Sequence, residues 1–289
     1  MIERKICVIT GANSGIGKAA AVQINQAGYH VILACRNPSR GEAALEDIRA
    51  QTGNSAVELM IVDMSLQSSI KQFADTFQSK YKSLDVLIHN AAAFDITQKE
   101  KMITGEGVES IWATNHIGPV LMTDLLMEAL NHSQQGRIIT ISSKGLIVYP
   151  FLKVDLEDPE FKGRKFSVQK AYYQSKLAQV MYTYWLADEL KDSKITANCI
   201  RVANVKIDID SRYPNTSKIA RSMYAVKSSF SISPEEMAET YTYLTVSDQV
   251  SETTGKYFDN PTHIVDSSKY SQDTENINQV MALTWKYLH

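Results

Sequence analysis

Four apolar residues, Ile6–Cys7–Val8–Ile9, run without a break into Thr10–Gly11–Ala12–Asn13–Ser14–Gly15–Ile16–Gly17, and a helical stretch follows to Ala27–Gly28. An unbroken apolar run is what a strand covered on both faces requires. Glycines between such a strand and a helix have separate physical uses. They permit a tight turn, let backbone N–H groups approach a pyrophosphate, and let the helix start close to the sheet. The context predicts a phosphate-binding turn at Gly11, Asn13, Ser14, Gly15, Ile16 and Gly17, where an ordinary strand-to-helix turn needs no such spacing.

Strands and helices then alternate. Residues 31–34, 56–62, 84–88, 137–141, 195–200 and 255–258 read as further strands, and Gly28 ends the helix before the first of these. Helical patterns cover 41–50, 67–81, 107–131, 168–191 and the residues from about 274. Ser233–Pro234–Glu235–Glu236 is a capping box with proline at the first helical position, opening a helix to about 246. Such alternation implies parallel pairing with right-handed crossovers. The expectation is an α/β fold: one domain over 1–289, with a seven-stranded, doubly wound parallel sheet flanked by helices on both faces. Its ligand crevice lies at the carboxyl ends of the strands, where Thr10, Arg36, Asp63 and Asn90 fall. The irregular stretch at about 206–232 reads as a lid or substrate loop, and 272–289 as a C-terminal helical segment.

Composition excludes several classes. A net charge of −2 and a pI near 6.3 give no electrostatic footprint for nucleic acid or an acidic membrane. No stretch approaches the roughly 20 apolar residues that span a bilayer, and residues 1–5 have no signal-peptide architecture. Cys7, Cys35 and Cys199 are widely separated in apolar runs, so they read as reduced packing cysteines with no metal site among them. A reducing, cytoplasmic location is expected.

Two further patterns bear on chemistry. The dinucleotide-binding geometry puts an acid about 20 residues beyond the glycines to hold an NAD ribose. Here Cys35–Arg36–Asn37 has none, and Arg36 suits a 2′-phosphate, which favours NADP over NAD. On the helix over 168–191, Tyr172 and Lys176 share a face one turn apart. Free tyrosine titrates at about 10, and a nearby ammonium favours its charged form. Such pairs are common on solvated helices, so this one gains meaning only from its setting. Tyr173 points about 100° away around the helix and reads as packing. Asn115, amid Ile111, Trp112 and Ile117, is a polar amide that must find buried partners.

Together, Thr10–Gly11–x–x–x–Gly15–x–Gly17, Asn90–Ala91, Asn115, Ser142–Ser143 and Tyr172–x–x–x–Lys176 resemble the short-chain dehydrogenase/reductase family, in the family's order. The stretches at 10–18, 34–37 and 171–177 look most like its retinol-dehydrogenase-like branch, and the expectation from residues 1–5 is a member without the hydrophobic N-terminal anchor of many membrane-bound ones. The resemblance implies a Rossmann fold and NADP, with Asp63, Met64, Asn90, Ala91 and Val205 joining the glycine turn, Arg36, Tyr172 and Lys176 around the cofactor. It further implies Tyr172 as general acid or base, Lys176 depressing its pKa and holding the cofactor ribose, Ser143 orienting a carbonyl, and Asn115 supporting a water-linked proton path. Val202–Ala203 stands where the family has Pro-Gly, Ile207 near its usual Thr, and Ala92 for the glycine of Asn-Ala-Gly.

The activity this implies is NADP-dependent interconversion of a carbonyl and an alcohol on an apolar small molecule. A non-catalytic NADP-binding regulator and a reductase of a C=C bond stay open as alternatives. Tyr149, Tyr213, Met223 and Tyr224 are candidates for pocket lining. The family's habit of pairing through two long helices implies a homodimer or homotetramer, with Met181, Tyr182, Tyr184 and Trp185 as either interface or core.

Overall fold

Side chains alternate across a strand, so a strand buried on both faces must feed two cores. In the computed structural model, which describes residues 4–206 and 231–288, β1 (Ile6–Thr10) does this. Cys7 and Ile9 enter one core with α1 (Gly15–Gln26) and α2 (Pro38–Thr52). Ile6 and Val8 enter the other with Phe73 and Phe77 of α3 (Gln67–Lys80). The sheet is completed by β2 (His30–Cys35), β3 (Val57–Ile61), β4 (Val86–His89), β5 (Arg137–Ser143), β6 (Thr196–Val202), β7 (Lys256–Asp259) and β8 (His263–Val265). Its order is β3-β2-β1-β4-β5-β6-β7-β8. Strand order reverses between β1 and β4, which places the crevice beside Thr10 and Asn90.

All seven expected strands are present and pair in parallel, and the structure adds an eighth at the edge. β8 follows the last expected strand and pairs with it antiparallel, from Tyr257↔Val265 to Asp259↔His263. A three-residue strand with one neighbour, two of its side chains exposed, carries no periodic signal.

A correction concerns 107–131. The helix begins at Ser110, where the buried Glu109 carboxylate accepts from the N–H groups of Ile111 (3.0 Å) and Trp112 (2.8 Å). Three residues of α4 (Ser110–Trp112) lead into a π-turn, Ala113–Ile117, before α5 (Gly118–His132). The N–H of Gly118 closes a five-residue loop onto the Ala113 carbonyl, and Pro119 has no N–H to give the carbonyl of Asn115 four residues back. Gly118 is obligatory, since a Cβ there would collide with the Met64 carbonyl.

The remaining helices are α6 (Val168–Glu189), α7 (Pro234–Val246), the short α8 (Lys269–Gln272) and α9 (Thr274–Leu288). The capping box is complete: Ser233 Oγ accepts from Glu236 N at 3.0 Å, and Glu236 Oε2 accepts from Ser233 N at 2.7 Å. α9 lies against α6, with Trp285 edge-on to Trp185 at 5.7 Å. Met181 and Tyr182 are fully buried within the chain, so of the two readings above they are core. All three cysteines are buried free thiols. Among the described residues no helix is long and apolar enough to cross a membrane. The lid assignment falls largely outside the described residues, and with it Ile207, Tyr213, Met223 and Tyr224.

The capping box sets one expectation. Ser233→Ala removes one orphan-donor partner from α7 and should cost about 1 kcal/mol, read as a lower urea midpoint at unchanged slope.

Candidate active site

The glycine turn is locked from the side of β4. Asn90 Nδ2 donates to the carbonyls of Thr10 (2.9 Å) and Gly11 (3.3 Å), while its Oδ1 accepts from Tyr241 Oη of α7 at 3.2 Å. Thr10 Oγ1 accepts from the N–H of Ala91 at 2.9 Å. Gly11 has a φ of +66° and lies where a Cβ would come within 3.0 Å of the Ala91 Cα; a Cβ at Gly17 would collide with the Asn90 amide. Both glycines are therefore demanded by close approach.

Ser14 precedes α1 without capping it through its side chain, and the first turn holds no acid. At α3, by contrast, the Glu106 carboxylate takes the N–H groups of Gln67 and Ser68. The first-turn donors and dipole of α1 are thus available to an anion, which fits a pyrophosphate. At the end of β2, the Arg36 side chain is 77% exposed, with one nitrogen 3.9 Å from Asp63 Oδ2. Asp63 itself accepts from Ser65 through Oδ1. Met64 does not present its side chain, which is buried in the α3 core, so its backbone alone is on offer.

Residues 172–176 occupy the first half of α6. Lys176 is 2% exposed, and its Nζ donates to the Ile141 carbonyl of β5 at 2.9 Å, 5.7 Å from the centre of the Tyr172 ring. Burial pushes its amine down to about 8. Ser142 turns its hydroxyl to the Lys176 carbonyl at 3.0 Å and is buried. Ser143 ends β5, half-buried, and accepts from Gly145 N. The pair thus divides into an inward structural serine and one at the strand end. Asn115 Oδ1 accepts from Ala93 N at 2.6 Å, and its Nδ2 donates to the Ala93 carbonyl and, at 3.0 Å, to Ser175 Oγ. Ser175 donates to the Tyr172 carbonyl at 2.7 Å. Asn115, Tyr172 and Lys176 are therefore joined through α6, and Ser143 lies two residues beyond the carbonyl that holds Lys176.

Packing orients the Tyr172 ring: Phe94 lies against it at 4.2 Å, and Tyr173 meets it edge-on at 5.2 Å. Tyr173 packs in turn on Tyr149 at 4.6 Å, and burial raises its phenol's pKa. Val205 is held in a bridge to Ile232, with Lys206 N donating to the Ile232 carbonyl at 2.9 Å and Ile232 N to the Asn204 carbonyl at 3.1 Å. Sequence reasoning missed Phe94, Ser175 and Tyr241. Ser175 alone carried a signal, since it lies between Tyr172 and Lys176 one turn from the former. A separate cavity of about 500 Å³, bounded by Trp185, Tyr257, Ile264 and Ile277, contains none of the expected site residues. Among the described residues no group of three or more His, Cys, Asp or Glu could hold a metal.

A doubly wound sheet with this turn at its switch point is the arrangement of a dinucleotide-binding protein. The short chain dehydrogenase model matches residues 5–152, and the chain belongs to that family. Human retinol dehydrogenase 13 is 33% identical over 260 residues, covering 89% of this chain and 77% of the relative. A crystal structure of a Mycobacterium paratuberculosis protein superposes with a TM-score of 0.75 at 26% identity, covering 98% of this chain and 92% of that one. A Shigella flexneri short chain dehydrogenase solved with NADP shares the fold, with a TM-score of 0.67, 24% identity, and 88% and 96% coverage.

The steric reading of the turn is testable. Gly17→Ala should weaken binding of a reduced nicotinamide dinucleotide at least about tenfold by displacing the Asn90 amide, measured by fluorescence titration, with the far-UV dichroism unchanged.

Proposed function

We propose that the protein reduces a carbonyl to an alcohol, and catalyses the reverse, on an apolar small molecule with NADP(H). One observation carries this reading: a buried lysine, held by a strand carbonyl, one helical turn below a phenol whose ring is fixed by aromatic packing. Gly11, Asn13, Ser14, Gly15, Ile16 and Gly17, with Asn90 and Ala91 behind them, would hold the pyrophosphate and its neighbourhood. Arg36 would meet the 2′-phosphate, supported by its solvent-facing guanidinium and by the absence of an acid after β2. The cofactor supplies a hydride to the carbonyl carbon.

The developing alkoxide needs a donor and then a proton. Ser143 orients the carbonyl oxygen from the end of β5, and Tyr172 gives its proton to that oxygen. Lys176, in its charged form, stabilises the tyrosinate left behind. Asn115 supports the path by which the proton is restored. An apolar substrate is supported by the aromatic surround of Tyr172 and by the likeness to retinol dehydrogenases.

Tyr172→Phe should lower kcat by about 10²–10⁴ on lipophilic aldehydes and ketones, with NADPH affinity retained. Full activity in that variant would sink the mechanism, and no turnover on any carbonyl by the unmodified protein would return the regulator reading. A pH dependence also follows. Lys176 must be cationic, and its amine titrates at about 8. kcat/KM for reduction should be level below roughly pH 7 and fall as pH rises through 8. In Lys176→Met the rate should be low throughout and this alkaline limb absent.

A further inference from the structure

The π-turn that presents Asn115 is not self-sufficient. Its loop is one residue too wide for α-helical bonding, and Pro119 withholds a donor just beyond it. External contacts therefore decide whether it keeps its shape. Asn115 itself bonds Ala93 and Ser175, and the residue next to it ties the turn to two further helices. His116 is wholly buried, with Nε2 2.7 Å from Thr284 Oγ1 on α9 and Nδ1 3.1 Å from Gln179 Nε2 on α6.

The proton positions in this chain follow from elimination. Thr284 Oγ1 donates its only proton to the Val280 carbonyl at 2.7 Å, so it must accept from His116. Nε2 therefore carries the hydrogen, and Nδ1, left with a lone pair, accepts from the Gln179 amide. Burial holds the imidazole neutral, pushing its pKa down to about 3, as that arrangement requires. The Trp112 ring packs on the imidazole at 4.6 Å. Gln179 is three residues beyond Lys176 and four beyond Ser175, so the chain ends on the helix that carries the proposed proton donor. α9 is anchored independently: Gln67 Nε2 donates to the Tyr287 carbonyl at 2.8 Å, and Tyr287 Oη donates to Glu160 at 2.9 Å.

We infer that the C-terminal helix is part of the catalytic apparatus: through Thr284 and His116, with Gln179, it clamps the π-turn that presents Asn115 to the proton path. The three are positioning residues, and the inference rests on the function proposed above for Asn115.

Thr284→Val is nearly isosteric and leaves the His116 Nε2–H buried without an acceptor, whereas Thr284→Ser keeps the acceptor. In the cofactor-free protein, amide hydrogen exchange over residues 110–118 should accelerate about tenfold or more in Thr284→Val and stay close to the unmodified rate in Thr284→Ser. In carbonyl reduction, Thr284→Val should lower kcat about tenfold with the KM for NADPH unchanged, raise the solvent isotope effect on kcat, and recover in Thr284→Ser. In an Asn115→Ala background the same substitution should cost less than about twofold.

Unchanged exchange over 110–118 in Thr284→Val overturns the inference. So do losses that simply multiply in the double variant, or a loss confined to NADPH binding. If Asn115→Ala itself keeps full kcat while Thr284→Val still loosens the turn, the clamp stands and the catalytic reading of Asn115 fails. Should Thr284→Val not fold, Gln179→Met breaks the chain from its other end and is read by the same criteria.

Discussion

The side-chain amide of Asn90 is the interaction on which the rest of the crevice depends. It stands at the point where strand order reverses, and three elements meet on it: the end of β1, the end of β4 and α7. Both of its functions are used. The amide nitrogen supplies the donor for two carbonyls at the head of the glycine turn, and Tyr241 occupies the oxygen, which fixes the amide's orientation. Without it each of those carbonyls would lose a hydrogen-bond donor, at roughly 0.5–1.5 kcal/mol per bond. Gly17 is the steric counterpart, because α1 can start this close to β4 only if no Cβ stands between them. The turn is thus shaped by tertiary contact as much as by its own glycines.

Lys176 shows the opposite economy, a charge placed where solvation is poor. The Cys199 thiol offers no compensation, since burial pushes it up to about 11 and keeps it neutral. What remains is the Ile141 carbonyl and the face of the Tyr172 ring. An amine so placed sits near the neutral range, able to act as a fixed cation below about pH 8 and to exchange a proton close to it. A surface lysine at the same spacing from Tyr172 would be a fixed charge, screened by water, and would do neither as well.

Local chemistry was legible in the sequence wherever the partners are near in the chain. Ser233, Pro234 and Glu236 cap α7 as their spacing requires, and the glycine turn follows its strand as expected. Tyr172 and Lys176 share a face because helix geometry leaves no choice, whereas Ser143 is singled out from Ser142 only by the family resemblance. What stayed hidden has distant causes. β8 is three residues long and forms only because β7 offers it an open edge. The π-turn arises where Gly118 meets the Met64 backbone and His116 meets α9, from segments 54 and 168 residues away; neither leaves a mark on the local pattern. Tyr241 and Phe94 carry no motif and lie far in sequence from Asn90 and Tyr172 respectively, and only the fold brings each pair together.

The Tyr172 ring illustrates how such distant contacts shape chemistry. A phenol can be oriented through its oxygen or through its carbon face. Here Phe94 covers a face of the ring and Tyr173, itself backed by Tyr149, meets its edge, so the carbon framework is held from the loop after β4 and from the segment after β5. Gly145 completes the arrangement, because a Cβ at that position would occupy the space of the Tyr173 ring. The same aromatic chain that steadies the phenol surrounds it with carbon, so ring orientation and the proposed preference for an apolar substrate would have one physical origin. A change at Phe94 or Tyr149 therefore acts on both together.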